Sequence, residues 1–223
     1  MIYDITPPIT PSLAVWPGDT PLSREVLCDL KRGDSVTLST LRATVHLGAH
    51  ADAPSHYGLA APAIDSRALE YYVGPCQVMR VNVAHGSRVS LDDLVGPIEA
   101  PRVLFVTGTF PDPTVFNEDF AALEPQLIDS LHGRGVILVG IDTPSVDLFS
   151  SKDLPAHRRF LRHDMAILEG LVLNGVPDGV YELIALPLKL VGFDASPVRA
   201  ILRQRADRVI SRIIEGQTNP SSA

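Results

Sequence analysis

The sequence predicts one α/β domain, and three observations predict it. Short runs rich in Val, Ile, Leu and Thr recur along the chain, bounded by Gly, Pro or Asp, as strands between turns do. Helical periodicity occurs in only a few places between them. No repeat or linker divides the 223 residues, and with 45% hydrophobic residues the chain can bury a core that folds without staples. The domain is expected over residues 1–216, with 217–223 as a frayed tail.

The expected strands are 1–5, 35–45, 77–83, 103–107, 136–141, 171–173 and 181–187. The run 136–141 is apolar throughout, as a strand covered on both faces would be. A helix is expected over 121–134, where Phe120, Leu123, Leu127 and Leu131 recur at spacings of three and four. Residues 90–94 read as a capped helix start at Ser90, and 155–162 as a short helix with Pro155 in its first turn. Periodicity does not give the strand order.

A net charge of −7 argues against a nucleic-acid or anionic-membrane surface. Cys28 and Cys76 are far apart and outside any C-x-x-C pair, so both are expected as reduced thiols. The start of the chain has no basic stretch followed by an apolar one, and no run of about 18 apolar residues exists, so neither a signal peptide nor a membrane span is expected. The expected location is the cytoplasm.

Chemistry concentrates in His46-Leu47-Gly48-Ala49-His50-Ala51-Asp52-Ala53-Pro54-Ser55-His56. Three imidazoles and a carboxylate in that space suit a transition metal with water left on it. The spacing constrains the backbone. In a regular strand His46 and His50 would lie roughly 13 Å apart, too far to share an ion. Gly48 and Pro54 oppose a continuous helix. The segment is therefore expected to leave a strand near Val45 and turn at Gly48, where glycine allows a positive φ.

Further ligands must come from elsewhere, and His85, His132, His157, His163, Asp142, Asp147 and Glu169 are the candidates. Asp142 follows the most buried-looking strand, where it would either orient a ligand imidazole or form a turn. Glu169 stands among apolar residues, where a carboxylate is costly unless paired or metal-bound. Spacing does not choose among them.

The eleven-residue segment matches the pattern H-x-G-[TA]-H-x-D-x-P-x-H and resembles the signature of the metal-dependent cyclase-like hydrolases. The chain is most similar to their bacterial kynurenine formamidase (arylformamidase) group. Asp4-Ile5, Trp16-Pro17-Gly18-Asp19-Thr20-Pro21, the stretch from Gly140 to Asp147, Leu154-Pro155-Ala156-His157 and Ile167-Leu168-Glu169-Gly170-Leu171 agree in order. The resemblance implies an α/β domain with a β-barrel-like core flanked by helices, assembled as a homodimer. It implies one zinc on His46, His50 and Asp52, with Asp52 bridging to a second on His157 and Glu169. His56 would be the general acid/base, and Trp16 would line the substrate pocket. Ala49 stands where the broad pattern often has Thr, so a hydroxyl contact there is lost. His163 has no role in the pattern and is expected as a surface or supporting residue.

The implied reaction is hydrolysis of N-formyl-L-kynurenine to L-kynurenine and formate, a step of tryptophan degradation. Two divalent ions sharing Asp52 would lower the pKa of a bound water from 15.7 toward about 7, making a hydroxide nucleophile. Trp16 offers a flat apolar face for the substrate ring, or is ordinary core; its residue type alone favours neither. The alternatives are a cyclic amidase acting on isatin-like substrates and a non-catalytic metal-binding domain. A structural zinc site would want four closing ligands, often cysteines, and the two cysteines lie far from the cluster. No G-x-S-x-G elbow supports a serine hydrolase.

Overall fold

In the computed structural model, which describes residues 1–204, thirteen strands and three α-helices follow one another as β1 (Ile2–Asp4), β2 (Ser23–Cys28), β3 (Leu38–Arg42), β4 (His50–Asp52), α1 (Pro54–Tyr57), β5 (Val73–Arg80), β6 (Arg88–Val89), β7 (Arg102–Val106), β8 (Ala122–Leu123), α2 (Pro125–Gly133), β9 (Leu138–Ile141), α3 (Pro155–His163), β10 (Ala166–Glu169), β11 (Gly179–Ile184), β12 (Ala195–Pro197) and β13 (Ile201–Arg203). The expected tail, 217–223, lies outside the described residues.

Nine strands form one sheet in the order β1-β13-β11-β5-β7-β9-β10-β4-β12, curled into a half-barrel. Its centre, β5, β7, β9 and β10, is parallel. The remaining pairs are antiparallel. Leu138–Ile141 is buried along its whole length, as expected of a strand covered on both faces. One face carries a core with Val78, Leu104, Leu168 and Leu183, closed by loop residues such as Ile5, Tyr72 and Leu173. The other carries Val103, Phe105, Val139 and Ile167, covered by Leu127, Ile128 and Leu131 of α2 and Ala156 and Phe160 of α3. The β-barrel-like core flanked by helices thus holds.

Two expectations shift for local reasons. The helix expected over 121–134 begins only at Pro125, because proline drives the preceding Glu124 into extended backbone (ψ 136°). Ala122–Leu123 instead pairs in parallel with Arg88–Val89. The strand expected at 171–173 is an irregular segment; the strand is Ala166–Glu169, and it ends because Gly170 takes φ +64°. Ser90 does start a capped turn, a 3₁₀ one over Leu91–Asp93, with the reciprocal Ser90–Asp93 capping box. The 155–162 helix is present one residue longer.

β2 and β3 form a separate hairpin. It leaves Leu27, Leu38 and Leu41 exposed.

Candidate metal centre

The site is assembled by register. β4 runs antiparallel to β10, placing His50 opposite Glu169 and Asp52 opposite Ile167. The strand period of two then puts His50, Asp52 and Glu169 on one face. Gly48 makes the expected turn just before β4, with φ +58°. A side chain at Gly170 would have its Cβ 2.2 Å from the Gly48 carbonyl oxygen, so the two glycines let this turn lie against the end of β10. The turn returns His46 toward the sheet, and the His46 and His50 rings come within 5.0 Å. His157 enters from the first turn of α3 and His56 from α1.

All five expected ligands therefore converge. Asp52 sits at the centre. Its Oδ1 lies 3.1 Å from His46 Nδ1 and 3.4 Å from His50 Nε2. Its Oδ2 lies 3.5 Å from His157 Nε2. Glu169 reaches His50 Nε2 at 3.3 Å with one oxygen and His157 Nε2 at 3.6 Å with the other. His50, Asp52, His157 and Glu169 are buried. Yet His50 Nε2 and both Asp52 oxygens make no hydrogen bond. The groups are close enough to attract but not aligned to bond, an expensive arrangement for buried polar atoms. A cation between them satisfies every one. The donor set, imidazole and carboxylate, suits zinc and similar divalent ions. The residues thus fit a metal.

Electrostatics tells the same story. Burial works against charge on His50, but Asp52 and Glu169 more than offset it and push its pKa up to about 10. His157 is likewise opposed by burial and raised to about 10 by Asp147 and Asp52. His46 is raised despite burial by Asp52 and Asp194. Burial would raise the Asp52 carboxyl, and the surrounding imidazoles hold it well below the usual carboxylate range instead. A metal and protons compete for these same lone pairs.

Supporting hydrogen bonds fix the imidazoles. His50 Nδ1 lies 2.8 Å from the Gly48 carbonyl oxygen, to which it can donate. His157 Nδ1 is held by Asp147 at 2.9 Å. Asp147 also accepts the main-chain N–H groups of Ala156 and His157, so one buried carboxylate caps α3 and aims its histidine. Arg88 bonds the other Asp147 oxygen at 3.0 Å. Asp142 does not orient an imidazole. Its carboxylate accepts from the Thr107 N–H and hydroxyl and the Gly108 N–H, tying the ends of β7 and β9 together. Glu169 accepts the Val146 N–H at 2.7 Å.

Two site residues were missed in the sequence. Asp194 lies 3.0 Å from His46 Nε2 and 3.4 Å from His56 Nδ1. Tyr57 packs its ring 5.0 Å from that of His157. The remaining histidines lie apart. His163 binds Asp129 and stacks on His132, the rings 4.2 Å apart, and His85 pairs with Asp119.

The site opens into a cavity of about 570 Å³ along the C-terminal ends of the parallel strands, lined by His46, His50, His56, His157 and Glu169 and walled by Trp16, Phe110 and Phe116. Trp16 is half-buried and braced by Phe116 and Phe149 at 5.5 and 5.0 Å.

Fold and site together define a metal-dependent hydrolase. Residues 3–148 match the Cyclase family model, described as "Putative cyclase". The chain is 45% identical over 207 residues to the kynurenine formamidase of Bordetella pertussis, covering 92% of this chain and 99% of that one. The chain belongs to this cyclase family. It resembles the solved structure of a potential metal-dependent hydrolase with cyclase activity, at 28% identity and TM-score 0.80, over 92% of this chain and 98% of that one. Isatin hydrolase A from Labrenzia aggregata, at 22% identity and TM-score 0.79 over 92% of this chain and 94% of that one, shares the fold.

Proposed function

We propose that this enzyme hydrolyses N-formyl-L-kynurenine to L-kynurenine and formate with two zinc ions. The carrying observation is the 45% identity to a kynurenine formamidase over nearly the full length of both chains, joined to a site whose unpartnered donors fit a divalent cation.

His46, His50 and Asp52 would hold one ion, and Asp52, His157 and Glu169 the other; the two Asp52 oxygens face these two sets, which supports the bridging role. When bound, the ions supply a water of lowered pKa and polarise the formyl carbonyl. Water adds to the formyl carbon, the C–N bond breaks, and its electron pair returns to the aniline nitrogen, which needs a proton to leave. His56 is our donor. It lines the cavity, its ring centre is 4.2 Å from that of His46, its side chain is 36% exposed, and Asp194 steadies it. Trp16 would stack on the aminophenyl ring. The cyclic-amide alternative has less support, since the isatin hydrolase likeness at 22% identity is one of fold.

We further propose a homodimer formed through the exposed apolar hairpin, where Val26, Leu27, Leu30, Val36, Leu38 and Leu41 face outward and suit a second copy. We assign the enzyme to the cytoplasm; the unpaired Cys28 and Cys76 are in keeping with that. No helix among the described residues is long and apolar enough to cross a membrane.

The test is formyl-kynurenine hydrolysis by purified protein, with metal content measured on the same sample. Activity lost to a chelator and restored by zinc supports the proposal. Fully metallated protein that leaves the formamide intact overturns the substrate.

A further inference from the structure

We infer that Arg80 is the specificity residue that binds the α-carboxylate of the substrate, an inference resting on the formamidase reading above. Arg80 ends β5 and, among the described residues, is the one Arg or Lys side chain lining the cavity, whose other ionisable groups are histidines and acids. It is exposed, and among the described residues its guanidinium has no ion pair or hydrogen bond. Asp178 takes the Arg80 main-chain N–H instead. A guanidinium left unpaired on the wall of a pocket offers a planar fork to a carboxylate.

The distance fits. β5, β7, β9 and β10 are successive neighbours: Met79, Phe105 and Ile141 share one row, Glu169 follows Leu168, the partner of Gly140, and Arg80 lies one residue beyond the row, opposite Val106. Three strand spacings put the Arg80 backbone about 14 Å from that of Glu169. In N-formyl-L-kynurenine seven bonds separate the formyl carbon from the carboxylate carbon, a span of about 8 Å. An extended arginine reaches roughly 6 Å from its Cα. A formyl group at the metal ligands and a carboxylate at Arg80 therefore span the cavity end to end. The aromatic ring then falls midway, inside a cavity whose walls include Trp16 and Phe116.

The experiment compares N-formyl-L-kynurenine with N-formylkynurenamine, which lacks only the carboxylate, in wild type, Arg80→Gln and Arg80→Lys. Arg80→Gln should lose roughly 10- to 100-fold in kcat/KM on formyl-kynurenine, chiefly through KM, and far less on the kynurenamine. Arg80→Lys should recover part of the loss, keeping charge without the fork. L-Kynurenine should likewise lose affinity for Arg80→Gln while kynurenamine does not. Wild type that cleaves both, with Arg80→Gln unchanged or equally impaired on each, overturns the Arg80 assignment and leaves the formamidase reading standing. Wild type that cleaves neither overturns that reading and the assignment with it.

Discussion

Replacing Asp147 by Asn tests whether the metal centre depends on a carboxylate that stands behind a ligand. Asp147 is 0% exposed, and its oxygens take two main-chain N–H groups of α3, His157 Nδ1 at 2.9 Å and Arg88 at 3.0 Å. Asn keeps the shape and loses the charge, and its NH₂ must face an N–H donor. Two effects follow, of different origin. Breaking a buried ion pair costs about 3–5 kcal/mol, and the low end applies because the Arg88 side chain is 23% exposed and partly solvated. Losing the partner of a ligand imidazole costs about 10- to 100-fold in metal affinity, or about 1.4–2.7 kcal/mol. A double variant separates them. Adding Arg88→Met to Asp147→Asn removes the orphaned cation, so stability should largely return while metal affinity should not. Urea melts of metal-free protein read the first quantity and chelator competition reads the second. Wild-type metal affinity in Asp147→Asn would refute the reasoning. So would a double variant that regains affinity along with stability, because the loss would then have been one of folding alone.

Two substitutions inside the signature should part company: His56→Ala should keep its metal and lose roughly 10²-fold or more in rate, whereas Asp52→Ala should lose metal and rate together. Metal analysis beside kinetics checks both, and an active His56→Ala or a fully metallated Asp52→Ala contradicts the assigned role. Gly170→Ala places a Cβ 2.2 Å from the Gly48 carbonyl oxygen at φ +64°, so it should cost about 2–4 kcal/mol and weaken metal binding at the adjacent Glu169; an unchanged melting temperature would count against the close approach. His50 and His157, raised to about 10, stabilise the metal-free fold below the ordinary value of 6.5 and lose that contribution as pH rises through about 10. A divalent ion must displace those protons, so the rise in melting temperature on adding metal should grow from about pH 6 to about pH 9, and a flat response would contradict the competition.

The convergence of His46, His50 and Asp52 was legible because a motif packs its chemistry into a few residues, whereas His157 and Glu169 came from the family resemblance alone. Distance argued against a straight strand between His46 and His50, and Gly48 and Pro54 against a helix, which pointed to the turn that Gly48 makes at φ +58°. Other elements were legible too: the period of Leu127 and Leu131 marked α2, and an unbroken apolar run, not a period, marked the fully buried β9. The failures are mostly short strands, with the six-residue β2 missed as well. β4, β10 and β12 have three or four residues each, too few for a period to register, and they exist because neighbours in the sheet pair with them.

Those short strands decide what sequence reading missed. β12 is the last strand of the sheet, and Pro197 is tolerated in it because an edge strand need not donate on its outer side. Its register against β4, Ala195 opposite Asp52, is what brings Asp194 to His46, 148 residues away in the chain, and beside His56. The Asp194 carbonyl, accepting the Ala53 N–H at 2.8 Å, fastens the same junction. Asp142 and Asp147 belong to one loop, and only the fold separates their tasks: the first ties β7 to β9, the second caps α3 and turns His157. A motif specifies which atoms can hold an ion; strand register and helix capping specify which acids stand behind them. A variant that kept all five proposed ligands but lost the pairing of β12 with β4 would still carry the signature, and would leave His46 without the carboxylate that bonds it and His56 without the one beside it.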